Sequence, residues 1–380
     1  MAAVPSASLS TLSSAAAASA GSSARVTGLR VRAVHLEVKQ ALETASGSFS
    51  TWPVVLLDVQ TDAGVTGHAF LGCFLPMVLK PMVSILNDLS PLVAGESLSP
   101  TAIDRKLRAR MRLIGVHGFL ASAIAMVEIA AWDALGKATG QPVVRLLGGA
   151  PKSYPMYKTV VAMDPGKAAG LARQAIDAGY GGLKLKLGAP TLRADMALIT
   201  SVRKAAGDDF PLMGDFNQVL SVPEAAERIS VIDGEGLVWL EEPVAARNYA
   251  GCAQLARTAL TPIQIGENWL SLEDAADSLA AQASDYVMPD LVKIGGAAAW
   301  LKAATLAEAQ GVPVSAHSFP ETCSHLMPAT GNGHWLEHVG MADAVFRQPI
   351  RPTDGRYQCS EAPGFGMEWD EDTIGRFLVS

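Results

Sequence analysis

Cysteine is scarce in this chain, and its spacing excludes two classes of protein. The 380 residues include four cysteines, Cys73, Cys252, Cys323 and Cys359, and no two of them form a CxxC pair. A small secreted domain held by disulfides has many more cysteines, and a structural zinc site needs clustered ligands. The cysteine content therefore favours a reducing compartment, and we predict a cytoplasmic location.

Excess positive charge and long apolar runs are also lacking. The net charge is −7 with no basic cluster, so neither nucleic acid nor an anionic membrane surface is an expected partner. No uninterrupted apolar run reaches the ~20 residues needed to cross a bilayer. The chain has no Gly-x-Ser-x-Gly elbow, Walker loop or HExxH motif. The glycine pairs at 148–149, 181–182 and 295–296 lack a dinucleotide-binding fingerprint around them.

Length and composition indicate a globular protein with two domains. With 49% hydrophobic and 18% charged residues, the chain can bury a large core. Its 380 residues are enough for a barrel and a second domain. Residues 1–25 are almost entirely Ala, Ser and Gly and have little to bury, so we predict a disordered extension there.

Residues 26–148 are predicted to form an α+β domain. Alternation of apolar and polar residues predicts strands at 27–38, 54–60 and 65–71. A loop rich in Ser, Thr and Gly is expected at 43–51, and the pattern turns helical between 76 and 140. Strands followed by helices are typical of this fold class.

Polar residues at the ends of short apolar runs predict an α/β barrel over residues 149–349. They recur at intervals of 20 to 29 residues from Lys186 onward. The residues at these positions are Lys184, Lys186, Asp215, Glu241, Glu267, Asp290, His317 and Glu337. One strand, one helix and two loops take roughly 25–30 residues in a (β/α)8 barrel, whose chemistry lies at the C-terminal ends of the strands.

The end of the predicted barrel departs from eight full repeats. No strong helical pattern follows the eighth strand, so (β/α)7β describes the barrel better than (β/α)8. Residues 350–380 return to short strand and turn patterns. We expect this C-terminal segment to pack back on the first domain.

Asp215, Glu241 and Glu267 are carboxylates on three successive predicted strands. At one barrel mouth they would repel one another and raise each other's pKa unless a cation lay between them. Oxygen ligands without Cys or His suit Mg²⁺, with Mn²⁺ as the alternative. Any one of these acids could instead cap the helix after its strand. Three in series at matched spacing favour the metal site.

Lys184 and Lys186 share one face of a predicted strand, because side chains alternate along it. Two lysines directed into a barrel need a partner, since an ammonium group is costly to bury. A substrate carboxylate or the metal cluster would supply one. A lysine near a divalent cation and another lysine should have a lowered pKa, which makes it a usable base. The alternative is a solvated edge strand with both lysines outward.

Asp290 and His317 end adjacent predicted strands and form a second candidate acid/base unit. A carboxylate beside an imidazole fixes its tautomer and raises its basicity. Glu337 is expected opposite the metal, where it could give a proton or a short hydrogen bond to a carboxylate oxygen. Lys293 is a candidate ion partner for Glu267 or Asp290.

Taken together, these motifs resemble the mandelate racemase/muconate lactonizing enzyme family of the enolase superfamily. The segments that carry the resemblance are Lys184–Lys186, Asp215–Asn217, Trp239–Pro243, Gly266–Trp269, Met288–Gly296, His317 and His334–Glu337. The resemblance extends from about Val26 to the C-terminus. It implies that residues 26–148 cap the barrel, with a loop at about 42–51 that closes over the substrate. It also implies a homo-oligomer, commonly an octamer.

The same resemblance implies roles for the site residues. The Mg²⁺ ligands would be Asp215, Glu241 and Glu267. Lys186 would be the base on one face of a small carboxylate substrate, and His317, oriented by Asp290, the base on the other face. Those that neutralise and hydrogen-bond the substrate carboxylate would be Lys184 and Glu337, with Asn217 nearby.

The reaction predicted from these roles is racemisation. A proton α to a carboxylate is a weak acid, so its removal needs an enolate stabilised by a metal, a lysine and a hydrogen-bond donor. We predict a Mg²⁺-dependent racemase of a 2-hydroxy carboxylate with an apolar or aryl side chain, acting through two bases and an enolate. An acid-sugar dehydratase on the same scaffold is the alternative. A barrel retained for binding or assembly is the third hypothesis.

The predicted pocket for the substrate side chain is mainly apolar. The capping domain offers Leu42, Ser46, Phe49 and Phe74, and the barrel offers Thr159, Val160, Ser318 and Val339. A polyhydroxy sugar acid would need more hydrogen-bonding side chains around it. This composition therefore favours the racemase over the dehydratase.

Overall fold

The fold is seen in a computed structural model that describes residues 24–44 and 47–379, with side chains described at 24–37 and 50–379. Most of the predicted extension at residues 1–25 lies outside this range. Its last two residues belong to the folded part. Arg25 N–H donates to Asp62 at 2.7 Å, and Leu98 N–H donates to the carbonyl of Ala24 at 2.8 Å.

A three-stranded antiparallel sheet begins the capping domain. Its strands are β1 (Val26–Thr44), β2 (Gly47–Thr61) and β3 (Thr66–Gly72), in the order β1-β2-β3. The turn between β2 and β3 contains Gly64 at φ 73°, a conformation that glycine adopts without steric cost.

The predicted loop at 43–51 is wrong, because β1 and β2 continue through most of it. Leu42 lies opposite Phe49 in the antiparallel register, and only residues 45–46 separate the two strands. Pairing the two arms satisfies backbone N–H and C=O groups that a loop would leave to water. This backbone requirement outweighs the turn-like composition of the segment.

Helices follow the sheet in the capping domain. They are α1 (Leu79–Val93), α2 (Pro100–Arg110), α3 (Gly118–Thr139) and α4 (Val143–Leu146), with a 3-10 turn at Pro76–Val78 before α1. Among the described helices, α3 alone is long and apolar enough to cross a membrane, but most of its residues are buried inside the protein. It ends at Gly140, whose φ of 66° makes a left-handed C-cap.

Eight parallel strands close into a barrel. They are β4 (Ser153–Val160), β5 (Gly182–Lys186), β6 (Leu212–Asp215), β7 (Leu240–Glu241), β8 (Ile263–Ile265), β9 (Tyr286–Val287), β10 (Val314–Ala316) and β11 (Gly333–His338). Each pairs with the next, and β11 pairs with β4, with Leu336 opposite Met156. The predicted barrel with an N-terminal α+β domain is confirmed.

Seven helices alternate with these strands on the outside of the barrel. They are α5 (Pro165–Asp177), α6 (Leu192–Ala206), α7 (Val222–Ile232), α8 (Tyr249–Thr258), α9 (Leu272–Ala280), α10 (Ala297–Glu308) and α11 (Pro320–Leu326), with 3-10 turns at Asp233–Glu235 and Met327–Ala329. The first five of them, α5 to α9, begin with a side-chain cap, and Ser221 with Glu224 forms a full capping box at α7. A 3-10 turn at Asp343–Val345, rather than a helix, follows β11.

The C-terminal segment returns to the capping domain. Strand β12 (Arg356–Gln358) pairs antiparallel with β4, and α12 (Glu371–Phe377) follows. Trp369 Nε1 donates to Asp58 Oδ1 of β2 at 2.6 Å, and Val379 N–H donates to the carbonyl of Ala33 at 2.8 Å. The exact domain boundaries stay predictions.

Candidate active site

Three buried carboxylates meet at the C-terminal mouth of the barrel. Asp215 ends β6, Glu241 ends β7 and Glu267 comes two residues after β8. One oxygen from each lies within 4.8 Å of the others. Parallel strands present their C-terminal ends at one face, so residues far apart in sequence converge there.

Each of these carboxylates has its own cation. Lys186 Nζ lies 2.5 Å from Asp215 Oδ2, and His317 Nε2 lies 3.1 Å from Glu267 Oε2. Lys184 Nζ donates to Glu241 Oε1 at 2.8 Å and lies 2.8 Å from Glu337 Oε1. Charges removed from water in this way persist only when they are paired at close range.

The pKa of Lys186 reflects its carboxylate neighbours. Burial, together with Lys184, lowers the pKa of this lysine, but Asp215, Glu267 and Glu241 together outweigh that effect, and the pKa is raised. The lowered pKa predicted from the sequence assumes a divalent cation and another lysine beside the amine, and it stays a prediction. Burial, together with Asp215, Glu267 and Glu337, raises the pKa of Glu241 against the attraction of Lys184.

Asp290 and His317 form the hydrogen-bonded pair that the sequence predicts. His317 Nδ1 lies 2.8 Å from Asp290 Oδ2. The other oxygen of Asp290 accepts from the backbone N–H groups of Val292 at 2.9 Å and Lys293 at 2.8 Å. Burial opposes the charged imidazole, but Glu267, Glu337 and Asp290 together raise the pKa of His317 to about 10.

Glu337, on the opposite side of the site, is held by three donors: Lys184, Thr159 and the backbone N–H of Ser318. Thr159 Oγ1 donates to its Oε1 at 2.5 Å, and Ser318 N–H donates to its Oε2 at 3.0 Å. Burial opposes its charge, but Lys184 and then His317 lower the pKa of Glu337 to about 2. The predicted role of Glu337, to give a proton or a short hydrogen bond to a carboxylate oxygen, stays a prediction.

Backbone strain concentrates in the loops after the barrel strands. Among the described non-glycine residues, those at positive φ in these loops are Asn217, Gln218, Glu242, Ser318 and Phe319. Each such residue costs on the order of 1–3 kcal/mol and persists only where the surroundings hold it. Asn217 is held by Asp215, which accepts from its backbone N–H at 2.8 Å and its side-chain amide at 3.0 Å.

A cavity of about 300 Å³ opens over this cluster. Its walls come from the capping domain and the barrel. The residues that line it are Trp52, Phe74, Thr159, Val161, Lys186, Asn217, Gln218, Glu267, Asn268, Lys293, His317, Ser318, Glu337, Val339 and Met341. The site is therefore accessible to a small ligand from the interface of the two domains.

The predicted pocket residues that line this cavity are Phe74, Thr159, Asn217, Ser318 and Val339. Val161 replaces the predicted Val160, because side chains alternate and Thr159 already points inward. Lys184 lies below the cavity between Glu241 and Glu337. The side chains of Leu42, Ser46 and Phe49 lie outside the described residues.

Several lining residues escaped the sequence prediction. Trp52 and Met341 come from the capping sheet and from the loop after β11. Gln218 and Asn268 directly follow the predicted site residues Asn217 and Glu267, which was a usable signal. Lys293 was proposed only as an ion partner. Its Nζ lies 2.9 Å from Asn268 Oδ1 and 3.8 Å from Glu267 Oε1.

The donor set fits a hard divalent cation. Asp215, Glu241 and Glu267 offer only oxygen atoms, are buried, and lie close enough to share one ion. Mg²⁺ prefers carboxylate oxygens and is commonly bound by few protein groups and by substrate. The raised pKa of Glu241 reflects like charges that such an ion would compensate.

Comparison with known proteins agrees with this geometry. Residues 26–148 match the "Mandelate racemase / muconate lactonizing enzyme, N-terminal domain" family, and residues 167–373 match the "Enolase C-terminal domain-like" family. This chain belongs to the mandelate racemase/muconate lactonizing enzyme family of the enolase superfamily. The family resemblance predicted from the sequence motifs is thereby confirmed.

Relatives of this chain differ in the reaction that they catalyse. An enolase from Bradyrhizobium, in a crystal structure with magnesium and mandelic acid, is 38% identical with a TM-score of 0.89, over 94% of this chain and 99% of that one. L-talarate/galactarate dehydratase of Salmonella typhimurium is 33% identical over 75% of this chain and 73% of its own length. N-succinyl-L-Arg/Lys racemase of Bacillus cereus is 25% identical over 93% and 98%. Kinship thus leaves both racemisation and dehydration open.

Proposed function

We propose that this chain is a Mg²⁺-dependent racemase of a 2-hydroxy carboxylate with an aryl or apolar side chain. The observation that carries the proposal is a pair of bases at one cavity. Lys186, at the end of β5, is hydrogen-bonded to Asp215. His317, directly after β10, is hydrogen-bonded to Asp290. Racemisation needs a proton removed from one face of a carbon and returned to the other.

Asp215, Glu241 and Glu267 would hold the ion. When bound, Mg²⁺ supplies positive charge that makes the proton α to the substrate carboxylate more acidic. The oxygen-only donor set supports this assignment, as does the relative from Bradyrhizobium that holds magnesium and mandelic acid.

The chain's own residues would move the proton. The Nδ1 of His317 faces Asp290 at 2.8 Å, so its Nε2, which faces Glu267 at 3.1 Å, is the atom that would exchange a proton with the substrate. The Nζ of Lys186 would do the same on the other face. For one enantiomer the lysine accepts the proton and the histidine donates one, and for the other enantiomer the roles reverse.

The cavity walls favour an aryl or apolar substituent. Trp52 and Phe74 pack edge to face with ring centroids 5.5 Å apart, and Val161, Val339 and Met341 complete an apolar wall. Edge-to-face aromatic surfaces are good partners for a ring. This wall offers few hydrogen bonds to a polyhydroxy chain.

The polar residues of the cavity are largely occupied by protein partners. The side-chain amide of Asn268 donates to Glu242 at 2.7 Å and to Glu267 at 2.9 Å, and its oxygen accepts from Lys293. The amide of Asn217 donates to Asp215. A sugar acid would have to displace these bonds, and leaving buried polar groups unpaired costs about 1–3 kcal/mol each.

Dehydration of an acid sugar is the second candidate. It shares the removal of the α-proton by one base, after which the β-hydroxyl leaves as water with a proton from an acid such as His317. Relatives that are acid-sugar dehydratases favour it. Gln218 also favours it, because it is a polar residue of the cavity lining; its side-chain oxygen accepts from Ala246 N–H at 2.8 Å.

Proton NMR in D₂O with Mg²⁺ and a panel of 2-hydroxy acids tests the proposal. The panel contains aryl, alkyl and polyhydroxy acids as single enantiomers. We expect deuterium at the α-carbon of an aryl or alkyl acid, with loss of optical rotation. A keto-deoxy product from a polyhydroxy acid would instead establish dehydration, and no α-exchange from any aryl or alkyl acid would overturn the racemase.

A histidine substitution tests the two-base assignment. His317→Asn is expected to stop turnover from one enantiomer and to leave α-exchange from the other through Lys186. The matched control is His334→Asn, a histidine that does not line the cavity and whose Nδ1 contacts Ser315. Total loss of exchange from both enantiomers in a folded His317→Asn protein would contradict the assignment.

A further inference from the structure

The glycine pair Gly295-Gly296 marks the contact between the capping domain and the loop that bears Asp290. Both glycines have positive φ, 109° and 103°. A Cβ on Gly295 would lie 2.6 Å from Arg108 Nη2, and one on Gly296 would lie 2.4 Å from Glu128 Oε2. Two capping-domain side chains therefore approach this backbone so closely that only glycine fits.

Glu128 caps a helix that belongs to the other domain. Its Oε2 accepts from Ala297 N–H at 2.7 Å and its Oε1 accepts from Ala298 N–H at 3.0 Å. These are the first two residues of α10, whose N-cap, Gly296, has no side chain to do this. A carboxylate at this point also interacts favourably with the helix dipole.

The capped loop is the one that orients the Asp290–His317 pair. It runs from Asp290 to Gly296, and Gly296 N–H donates to the carbonyl of Leu291 at 2.9 Å. Asp290 Oδ1 accepts from two backbone N–H groups of this loop, which leaves Oδ2 for His317. The path of the loop therefore decides where the Asp290 carboxylate points.

A second capping-domain residue holds the same loop. Arg108 Nη2 donates to the carbonyl of Gly295 at 2.7 Å, and its Nε donates to Asp104 Oδ1 at 2.7 Å. Trp132 Nε1 donates to Glu128 Oε1 at 3.1 Å and fixes the carboxylate from within α3. Arg108 thus donates to the loop, and Glu128 accepts from the helix that follows it.

A buried carboxylate is a costly choice at this position. Glu128 is fully buried, and that burial, with Asp104 nearby, raises its pKa to about 7 even though Trp132 and the two backbone N–H groups favour the ionised form. An apolar side chain of similar size would avoid the desolvation cost. It would leave two N–H groups of α10 without partners.

We infer that Glu128 is a positioning residue: from the capping domain it fixes the start of α10 and so holds Asp290 in register with His317. Its consequence for turnover rests on the proposed function, whereas its consequence for the loop does not. Glu128 thereby couples the capping domain, which covers the cavity, to the geometry of the Asp290–His317 pair beneath it.

Hydrogen–deuterium exchange of the full chain tests the loop. Glu128→Gln keeps the shape but removes the charge and one acceptor. We expect amide exchange in the peptide covering 289–298 to accelerate about fivefold, which corresponds to the ~1 kcal/mol that a helix cap contributes. Unchanged exchange at 289–298 in a folded Glu128→Gln protein would overturn the inference.

Asp133→Asn is the matched control on the same helix. Asp133 is also fully buried and accepts backbone N–H groups, from Phe365 at 2.7 Å and His68 at 2.9 Å, and these partners lie outside the 290–296 loop. Amide exchange in the Asp133→Asn protein should accelerate around residue 365 and not at 289–298. Equal acceleration at 289–298 in both variants would show general loosening and would overturn the specific role.

Ala297→Pro provides a second variant if Glu128→Gln does not fold. Proline fits the first position of a helix and removes only the N–H donated to Glu128. It should raise exchange at Val292 and Lys293 in the same direction. No change there would contradict the coupling.

Turnover gives a readout that a purely structural role would not move. Glu128→Gln should lower the rate of α-exchange through His317 more than that through Lys186, with little change in KM, whereas Asp133→Asn should leave the ratio of the two rates unchanged. An unchanged ratio in Glu128→Gln would count against the positioning role. If the wild-type protein exchanges no 2-hydroxy acid, the proposed function fails, and the amide exchange still decides whether the coupling exists.

Discussion

The two ends of the barrel are made from the same strands and have opposite chemistry. The C-terminal layer contains Asp215, Glu241 and Glu337. Two residues earlier, Met213 lies on β6, Trp335 lies on β11, and Trp239 directly precedes β7. Because side chains two apart on a strand point the same way, the charged layer lies directly above an apolar one.

The apolar layer forms a buried floor beneath the charged one. Tyr157, Met213 and Trp239 are fully buried and pack with Trp335, with the Tyr157 and Trp239 rings 5.5 Å apart. Lys184 Nζ lies 5.7 Å from the centre of the Tyr157 ring, so the floor touches the charged layer. Excluding water below the charges lowers the local dielectric and strengthens every ion pair above. The comparison teaches that the acid/base chemistry depends on both layers, one for charge and one for its surroundings.

Removal of divalent ions should have the largest effect, and it should act on the charged layer alone. With EDTA we expect complete loss of α-exchange, because three carboxylates within 4.8 Å would face the substrate without their ion. Readdition of Mg²⁺ should restore activity and raise the unfolding temperature, as a ligand of the folded state does. Exchange by NMR and thermal unfolding measure this, and activity that survives full chelation would contradict the metal site.

Lys186→Met removes one base from the charged end. We expect α-exchange on its face to fall by about 10²–10⁴-fold, the usual contribution of a general base. The control is Lys204→Met in α6, an exposed lysine outside the cavity. A Lys186→Met protein with wild-type exchange of both enantiomers would eliminate the lysine as a base.

Met213→Ala and Asp215→Asn compare the two layers on one strand. Met213 is fully buried, so its truncation should lower the free energy of unfolding by about 2–5 kcal/mol while the folded fraction keeps most of its activity. Asp215→Asn should instead remove most of the Mg²⁺ affinity, an effect that Met213→Ala should not have. Urea unfolding measures the loss of stability, and Mg²⁺ titration measures the loss of affinity. Equal losses of both quantities in the two variants would contradict separate roles for the two layers.

Two histidines show the same contrast through their pKa. Carboxylates raise the pKa of His317 at the charged end to about 10, whereas burial lowers the pKa of His325 in α11 to about 4. The neutral His325 accepts at Nδ1 from Val144 N–H at 3.3 Å, which a protonated imidazole cannot do.

This contrast predicts a dependence of stability on pH. The unfolded chain binds a proton at His325 below about pH 6.5 and the folded protein does not until about pH 4. The contribution of this group is therefore complete above pH 6.5 and is lost as pH falls to 4, by roughly 3 kcal/mol in total. Urea unfolding from pH 7 to 4 should show a smaller decline in His325→Gln than in the wild type. Parallel curves would rule out His325 as the cause.

The sequence predicted the barrel and the identity of its charged residues because two periodicities coincide. The spacing of Asp215, Glu241 and Glu267 matches one strand and one helix, and parallel strands must end at one face. The pairing of β1 with β2 at residues 42–44 and 47–49 was mispredicted because backbone pairing is invisible in composition. The apolar wall was only partly predicted, since Trp52 and Met341 belong to separate elements that meet only in the folded protein.

By itself, the sequence determined that acids, lysines and a histidine would gather at one barrel mouth, since that follows from local periodicity and the geometry of parallel strands. The tertiary structure alone decided which cation contacts which carboxylate, and with it the raised pKa of Lys186. It also brought Glu128 to Ala297, 169 residues away in the chain. Such contacts depend on distances of a few tenths of an ångström between elements packed from different parts of the chain, and no residue pattern specifies them.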